Sequence, residues 1–352
     1  DENFLFHGNK FLFLFSGNKF LHQHLYSFLV YLITDNLGYL LPLDYIYVGR
    51  ILSIIFAFLS IITVIIFIKI NIKDINSYLI ASIIALHPLF FFYSIQAEPY
   101  TMLFFFATLQ LLTYFGLKKN KFFTGLFFIT SILGFFAHYY FIIILFAECL
   151  HELFYYVKNK KVKLSPFYAI LVISIIFLFQ APEIIKTTNV SFQDGISLFS
   201  WTFMLKWLGI FWGITPVIFP DPIVYFLSIT LLITTLSFIY RDINSIPKII
   251  LIYFILFLLI FVISLLMIFG WMNNFSYPAM RHYIHIVLPL TIISCISLNK
   301  YKKSGYIIIA LILCTYAYTD FRTIYTKYKY DGLSVISYIH QKEKLIGQHN
   351  YL

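Results

Sequence analysis

The chain has 352 residues, 61% of them hydrophobic and 11% charged, where soluble domains carry roughly 45–50% and about 25%. That balance excludes a cytosolic enzyme, a disordered chain and a nucleic-acid binder, and it predicts a protein that lives in a membrane. Its formal net charge of +10 reads as lysine-rich cytoplasmic loops rather than as a surface for an anionic polymer.

Runs of about 17–25 apolar residues cross roughly 30 Å of hydrocarbon at about 1.5 Å per residue, and ten such spans are expected here. Residues 1–47 precede them and read as a first external loop, in which Leu25 to Thr34, apolar but too short to cross, forms an interfacial helix. Residues 48–185 carry six spans: Val48 to Ile70, Ser77 to Gln96, Tyr100 to Leu117, Phe122 to Phe136, Tyr139 to Val157 and Pro166 to Ile185. Residues 186–221 read as a second external loop, whose Trp201 to Phe219 stretch, with Trp201, Trp207 and Trp212, lies in the interface. Residues 222–320 carry four more spans, Pro222 to Tyr240, Lys248 to Gly270, Tyr283 to Leu298 and Gly305 to Thr319, and residues 321–352 form an external tail. The expected fold class is an all-α polytopic membrane bundle, with a further span expected before Asp1 and more chain after Leu352.

Orientation follows from the basic residues. The short loops near Lys69 to Lys73, Lys118 to Lys121, Lys158 to Lys163, Arg241 to Lys248 and Lys300 to Lys303 hold 14 of the 25 Lys and Arg. The alternate, much longer segments hold only Lys10, Lys19, Arg50, Lys186, Lys206 and Arg281, so the short set is expected on the cytoplasmic side. Phe122 to Val157 must supply two crossings and a turn from 36 residues, which places the turn at Ala137 to Tyr140 slightly below the outer surface and His138 in a recess. Only 4 of the 25 basic residues are arginine, so an arginine runs against the drift of this sequence and is a stronger pointer than a lysine. Cys149, Cys295 and Cys314 fall in apolar stretches without a C-x-x-C pair and read as packing residues.

Ionisable groups at membrane depth are costly and mark sites by default. Those expected on the outer side are Asp1, Glu2, His22, His24, Arg50, Glu98, His138, Glu183, Lys206, Arg281, His282 and His285. Carboxylates mixed with cations suit a lipid-linked phosphate: arginine forks bind phosphate oxygens, and a carboxylate takes a proton from an attacking hydroxyl. Plainer roles stand beside these: Arg50 and Arg281 as interfacial anchors, Lys206 as a contact for anionic headgroups, His138 as a hydrogen-bonded core histidine. His22 and His24 reach one metal only from an extended loop. Glu148, His151 and Glu152 lie toward the cytoplasmic end and read as structural.

The run Tyr93-Ser94-Ile95-Gln96-Ala97-Glu98-Pro99-Tyr100 resembles the "Y-S-Q-x-A-R-P-Y" stretch of bacterial GT-C glycosyltransferases, the superfamily of protein O-mannosyltransferases and of the transferases that put aminoarabinose on lipid A. Other elements follow in the family's order: Asp1-Glu2 at the start of the first external loop, His24-Leu25-Tyr26 where the family has "P-P-L-Y", Arg50 opening a span, Leu86-His87-Pro88, His138-Tyr139-Tyr140, and Arg281-His282-Tyr283 followed by Pro289. The resemblance covers about Asp1 to Leu298. Two positions depart from the pattern. Glu98 stands where the family has arginine, and Gln23 and His24 stand where it has prolines.

The resemblance implies a GT-C-like bundle in the bacterial cytoplasmic membrane. It would move a sugar, with inversion, from a polyprenyl-phosphate donor to a hydroxyl of a protein, lipid or glycan acceptor at the outer face. It implies Asp1, with Glu2 beside it, as the base or as a ligand to a divalent cation such as Mg or Mn, with Glu98 as a second carboxylate for that metal or for a sugar hydroxyl. Phosphate binding is expected from Arg281, Arg50 and Lys206, and substrate contacts from His138, Glu98, Tyr100, His282, Tyr283 and His24. A lipid-linked-sugar flippase or transporter is the main rival, and a wall-polysaccharide polymerase or ligase the next. Transporters place ionisable groups near the midplane and break their helices. The absence of a sequence repeat and the outer-side clustering of charge favour the enzyme.

Overall fold

In the computed structural model the described residues are 24–37, 45–72, 75–117, 120–191, 212, 221–256, 258–259, 284–301 and 304–322, and all regular structure among them is helical. Chain order gives α1 (His24–Leu37), α2 (Tyr45–Asn71), α3 (Ser77–Ala85), α4 (Pro88–Ser94), α5 (Tyr100–Gly116), α6 (Lys121–Ala137), a 3-10 turn (Tyr139–Phe141), α7 (Ile142–Asn159), α8 (Ser165–Ser191) and α9 (Asp221–Asp242). Then come α10 (248–256), α11 (Val287–Asn299) and α12 (Ser304–Arg322). Helix is the only open-ended element whose backbone polar groups are all satisfied within one segment in hydrocarbon.

Tyr45–Asn71, Tyr139–Asn159, Pro222–Asp242 and Ser304–Arg322 are each long and apolar enough to cross a membrane, as is Ser77–Ser94 if the bent pair α3 and α4 counts as one span. Tyr100–Gly116, Lys121–Ala137, Ser165–Leu178 and Ile284–Asn299 are apolar but shorter. The chain is therefore a helical membrane protein, with fewer full-length crossings among its described helices than the ten expected.

The single span expected over Ser77 to Gln96 is instead two helices bent by 66°. Proline disfavours the α conformation in the residue before it, and His87, preceding Pro88, takes ψ 122°. The chain restarts at once, because Pro88 occupies the first turn of α4 and the His87 ring accepts from the Leu89 amide at 3.3 Å.

Helix α2 organises the bundle. Its buried face carries Gly49, Ser53, Ala57 and Ser60, a small-residue stripe that lets another backbone come close, and α5 lies along it. Thr101 donates to the Ser53 carbonyl at 3.0 Å, Phe56 packs on Phe105 at 5.5 Å between ring centres, and Phe67 on Phe115 at 5.6 Å. The opposite face, with Ile51, Ile55, Phe58, Ile62 and Ile66, is exposed, as a lipid-facing side should be.

The ring contact of Phe67 with Phe115 brings the carboxyl ends of α2 and α5 together. Tyr114 donates to Glu152 on α7 at 2.7 Å, and Glu152 accepts the Lys163 amide at 3.0 Å. Lys69, at the end of α2, donates to the Tyr78 hydroxyl at 3.0 Å. The segments around Lys69, Lys121, Lys158 and Lys163 thus gather at one end of the bundle, while Tyr45, Glu98 and His138 stand at the other. Farther along the chain, buried Asp242 at the end of α9 holds Lys300 beyond α11 at 2.5 Å and Arg241 at 2.6 Å, tying the end of α9 to the end of α11.

Helix α6 and the turn after it meet at a glycine. A Cβ built on Gly134 would stand 2.4 Å from the ring of Phe141, which is itself 1% exposed and has no room to withdraw. Gly134→Ala should lower stability by about 1–3 kcal/mol through overpacking, read as a lower melting temperature of the purified protein in detergent. A melting temperature equal to wild type would mean that this ring does not rest on Gly134.

Candidate functional site

The end of the bundle opposite the lysine-rich loops is built on three neighbouring segments. Helix α1 contributes Tyr26, the first turns of α2 contribute Gly49, Arg50 and Ser53, and the linker between α4 and α5 contributes Ala97 and Glu98. The Tyr26 hydroxyl donates to the Gly49 carbonyl at 2.7 Å, Ser53 donates to the Glu98 carbonyl at 2.9 Å, and the two hydroxyls lie 2.9 Å apart. A Cβ on Gly49 would stand 2.9 Å from that of Ala97. The linker is thus pinned to α2 through backbone groups, which leaves the side chains of Glu98 and Arg50, both half-buried, at the same end of one helix pair.

An aromatic group continues from this linker. Tyr93 packs on Tyr100 at 5.0 Å, Tyr100 on His138 at 5.6 Å, and His138 stacks on Tyr139 at 4.8 Å between ring centres. Helix α6 ends at Ala137, His138 turns extended, and its Nδ1 accepts the Tyr140 amide at 3.2 Å. That bond assigns the proton of the neutral ring to Nε2. At 1% exposure His138 is enclosed within the protein.

Of the residues singled out from the sequence, the structure brings Arg50, Glu98, Tyr100 and His138 to one end. Asp1, Glu2, Lys206, Arg281, His282 and Tyr283 lie outside the described residues, as does the side chain of His24, whose backbone opens α1. Among the described residues no group of three or more His, Cys, Asp and Glu side chains is placed to hold a metal ion. Glu98 therefore makes a metal site only with ligands from outside them. His285, also among the residues expected on the outer side, is 2% exposed, just ahead of α11, and stacks on Tyr253 of α10 at 5.8 Å.

Two features were missed from the sequence. Glu148, read as structural and near the cytoplasmic end, is the tenth of the 21 residues of the Tyr139–Asn159 span and wholly buried. Gln110 Nε2 donates to Glu148 Oε2 at 3.1 Å and to Ser131 at 3.0 Å, and Gln110 Oε1 accepts from Thr130 at 2.5 Å. The available signal was Glu148 and Glu152, one turn apart on a single face of an apolar helix, opposite a lone glutamine in another. The second feature is a cavity of about 280 Å3 beside the α3–α4 break, with Ile83, Leu227, Leu290, Leu298 and Ile312 in its wall. His87 and Tyr316 meet there at 5.1 Å between ring centres, and Tyr316 donates to the Trp212 carbonyl at 2.9 Å.

No protein-family model, no curated protein and no solved structure matches this chain.

The hydroxyl of Tyr26, 1% exposed, is what fixes α1 to α2. Tyr26→Phe leaves the Gly49 carbonyl without that donor and should cost about 1–3 kcal/mol, measurable as a drop in melting temperature with little change in helix content. An unchanged melting temperature would show that the hydroxyl does not hold this end.

Proposed function

We propose that the chain is an integral-membrane glycosyltransferase of GT-C type, with about ten spans and its site at the outer face of a bacterial cytoplasmic membrane. It moves a sugar from a polyprenyl-phosphate donor to an acceptor hydroxyl. The observation that carries the reading is the placement of a cation, a carboxylate and an enclosed imidazole, Arg50, Glu98 and His138, on segments at one end of the bundle, away from the lysine-rich loops. Lysine-rich short loops are cytoplasmic by the positive-inside rule, which puts this group outside. The apolar cavity beside the broken helix has the chemistry of an isoprenoid chain's surroundings.

In this reading the acceptor hydroxyl attacks the anomeric carbon from the face opposite the phosphate and gives its proton to Asp1, with Glu2 beside it. The bond from the anomeric carbon to the phosphate oxygen breaks with its electrons on the phosphate, and Arg281, Arg50 and Lys206 stabilise that charge. Glu98, His138, Tyr100, His24, His282 and Tyr283 hold the sugar and the acceptor. A divalent cation at Asp1 and Glu98 would add positive charge at the leaving group.

A second reading, a flippase or transporter for a lipid-linked sugar, is favoured by two observations: the span broken by 66° at His87 and a carboxyl at the middle of another.

The test uses purified full-length protein with a panel of radiolabelled polyprenyl-phosphate sugars. Asp1→Asn should lower transfer on the order of 10²–10⁴-fold, as for loss of a general base, and Arg281→Ala on the order of 10²-fold or more, as for loss of a charge-stabilising group. Transfer that survives both substitutions would sink the assignment. Movement of labelled lipid across liposomes without transfer would establish the second reading instead.

A further inference from the structure

Glu148 takes no part in the chemistry proposed above, yet its surroundings are built for it. Its side chain is 0% exposed at the middle of a span. One carboxyl oxygen accepts from Gln110, and the other, Oε1, is buried with no hydrogen-bond partner. On α10 the hydroxyl of Tyr253, also 0% exposed, is likewise buried without a partner and lies within electrostatic reach of Glu148. The titratable groups around Glu148 are Glu152 and Cys149 on its own helix, Tyr114 on α5 and Tyr253 on α10. Helix α6 offers Thr130 and Ser131, which do not titrate, and among the described residues no cation pairs with Glu148. An anion with an unpaired oxygen is the costliest state a carboxyl can adopt in such a place, and a proton removes that cost.

A metal ion fits these residues poorly. Gln110 turns its amide nitrogen, a donor, toward the carboxylate, and no third ligand of metal type joins the group among the described residues. A proton fits, and a chain of polar groups leads toward it. One turn nearer the lysine-rich end, Glu152 and half-buried His151 flank the Tyr114 hydroxyl, which lies 2.6 Å from His151 Nδ1 and 2.7 Å from Glu152 Oε1. The second Glu152 oxygen accepts the Lys163 amide in the loop, so the chain of groups starts at the bundle end and finishes one helical turn below Glu148.

We propose that Glu148 is a reversible proton-binding site in the interior of the bundle, loaded from the lysine-rich end through His151, Tyr114 and Glu152. A proton delivered by water enters at His151, is relayed by the Tyr114 hydroxyl to Glu152, and passes from there to the Glu148 carboxylate, which becomes a carboxylic acid. Release retraces the path, and no other bond changes. The site lies apart from the proposed glycosyl-transfer groups and does not depend on that reading.

The experiment is infrared difference spectroscopy between acidic and alkaline pH on the full chain in lipid nanodiscs, in H2O and in D2O. Wild type should show a carbonyl band of a protonated carboxylic acid that grows on acidification and shifts down in D2O. Glu148→Gln, which keeps an acceptor for Gln110, should lose that band. Glu152→Gln should keep it with a displaced midpoint, and Glu148→Asp should keep it at a new frequency, which serves if the glutamine variant does not fold. A wild-type spectrum with no pH-dependent carboxyl band, or a band that persists unchanged in Glu148→Gln and in Glu148→Asp, would overturn the proposal.

Discussion

The close approach of α2 to α5 is the contact on which the rest of the bundle depends. Between apolar helices in hydrocarbon there is no solvent-driven attraction, so association rests on packing and on the few hydrogen bonds available. Gly49, Ser53, Ala57 and Ser60 supply both. Their small size brings the backbones together, and the serines bond to main-chain groups across the seam, as Ser53 does with Glu98 and Ser60 with Thr101 at 3.3 Å. A larger residue at Gly49 would push away the linker carrying Glu98, so the packing of the core and the position of the candidate site are one constraint.

Polarity is placed unevenly through this bundle. One end gathers lysines on short loops, the other presents Arg50, Glu98 and His138, and between them lies a fully hydrogen-bonded glutamine beside a carboxyl with one oxygen unmatched. In a low-dielectric interior a satisfied network rigidifies its neighbours, whereas an unsatisfied polar group is costly and calls for a reason. Gln110 with Thr130 and Ser131 belongs to the first kind, and Glu148 with Tyr253 to the second.

Helix positions were legible in the sequence because apolar run length reports directly on what can sit in hydrocarbon. The ends of α2, α6, α7, α9 and α12 fall within a few residues of those expected from composition. The bend at His87 was less legible. Pro88 stands in the middle of an apolar run, and proline within a membrane helix is tolerated whenever neighbours satisfy the freed groups, so its presence alone does not say whether the helix bends or stops. Glu98 and His138 were expected on one membrane side, and Tyr100 entered only through the resemblance. The contact of Tyr100 with His138 depends on the turn at His138 and the linker before α5, which no periodicity describes. Glu148 was read from its place toward the cytoplasmic end of its own helix, whereas its hydrogen-bond partner, Gln110, lies on α5, across the fold.

The exposed isoleucine face of α2 bears on how a ligand reaches this protein. Arg50 sits near the start of a helix whose outer face is apolar and exposed from Ile51 to Ile66, so a bilayer around that face opens an approach within the leaflet as well as from water. A molecule anchored by its own hydrocarbon chain would meet the site by lateral diffusion, at a rate set by its number per unit of membrane area. For such a molecule the bilayer is the solvent, and enriching the leaflet raises encounters more than enriching the surrounding medium.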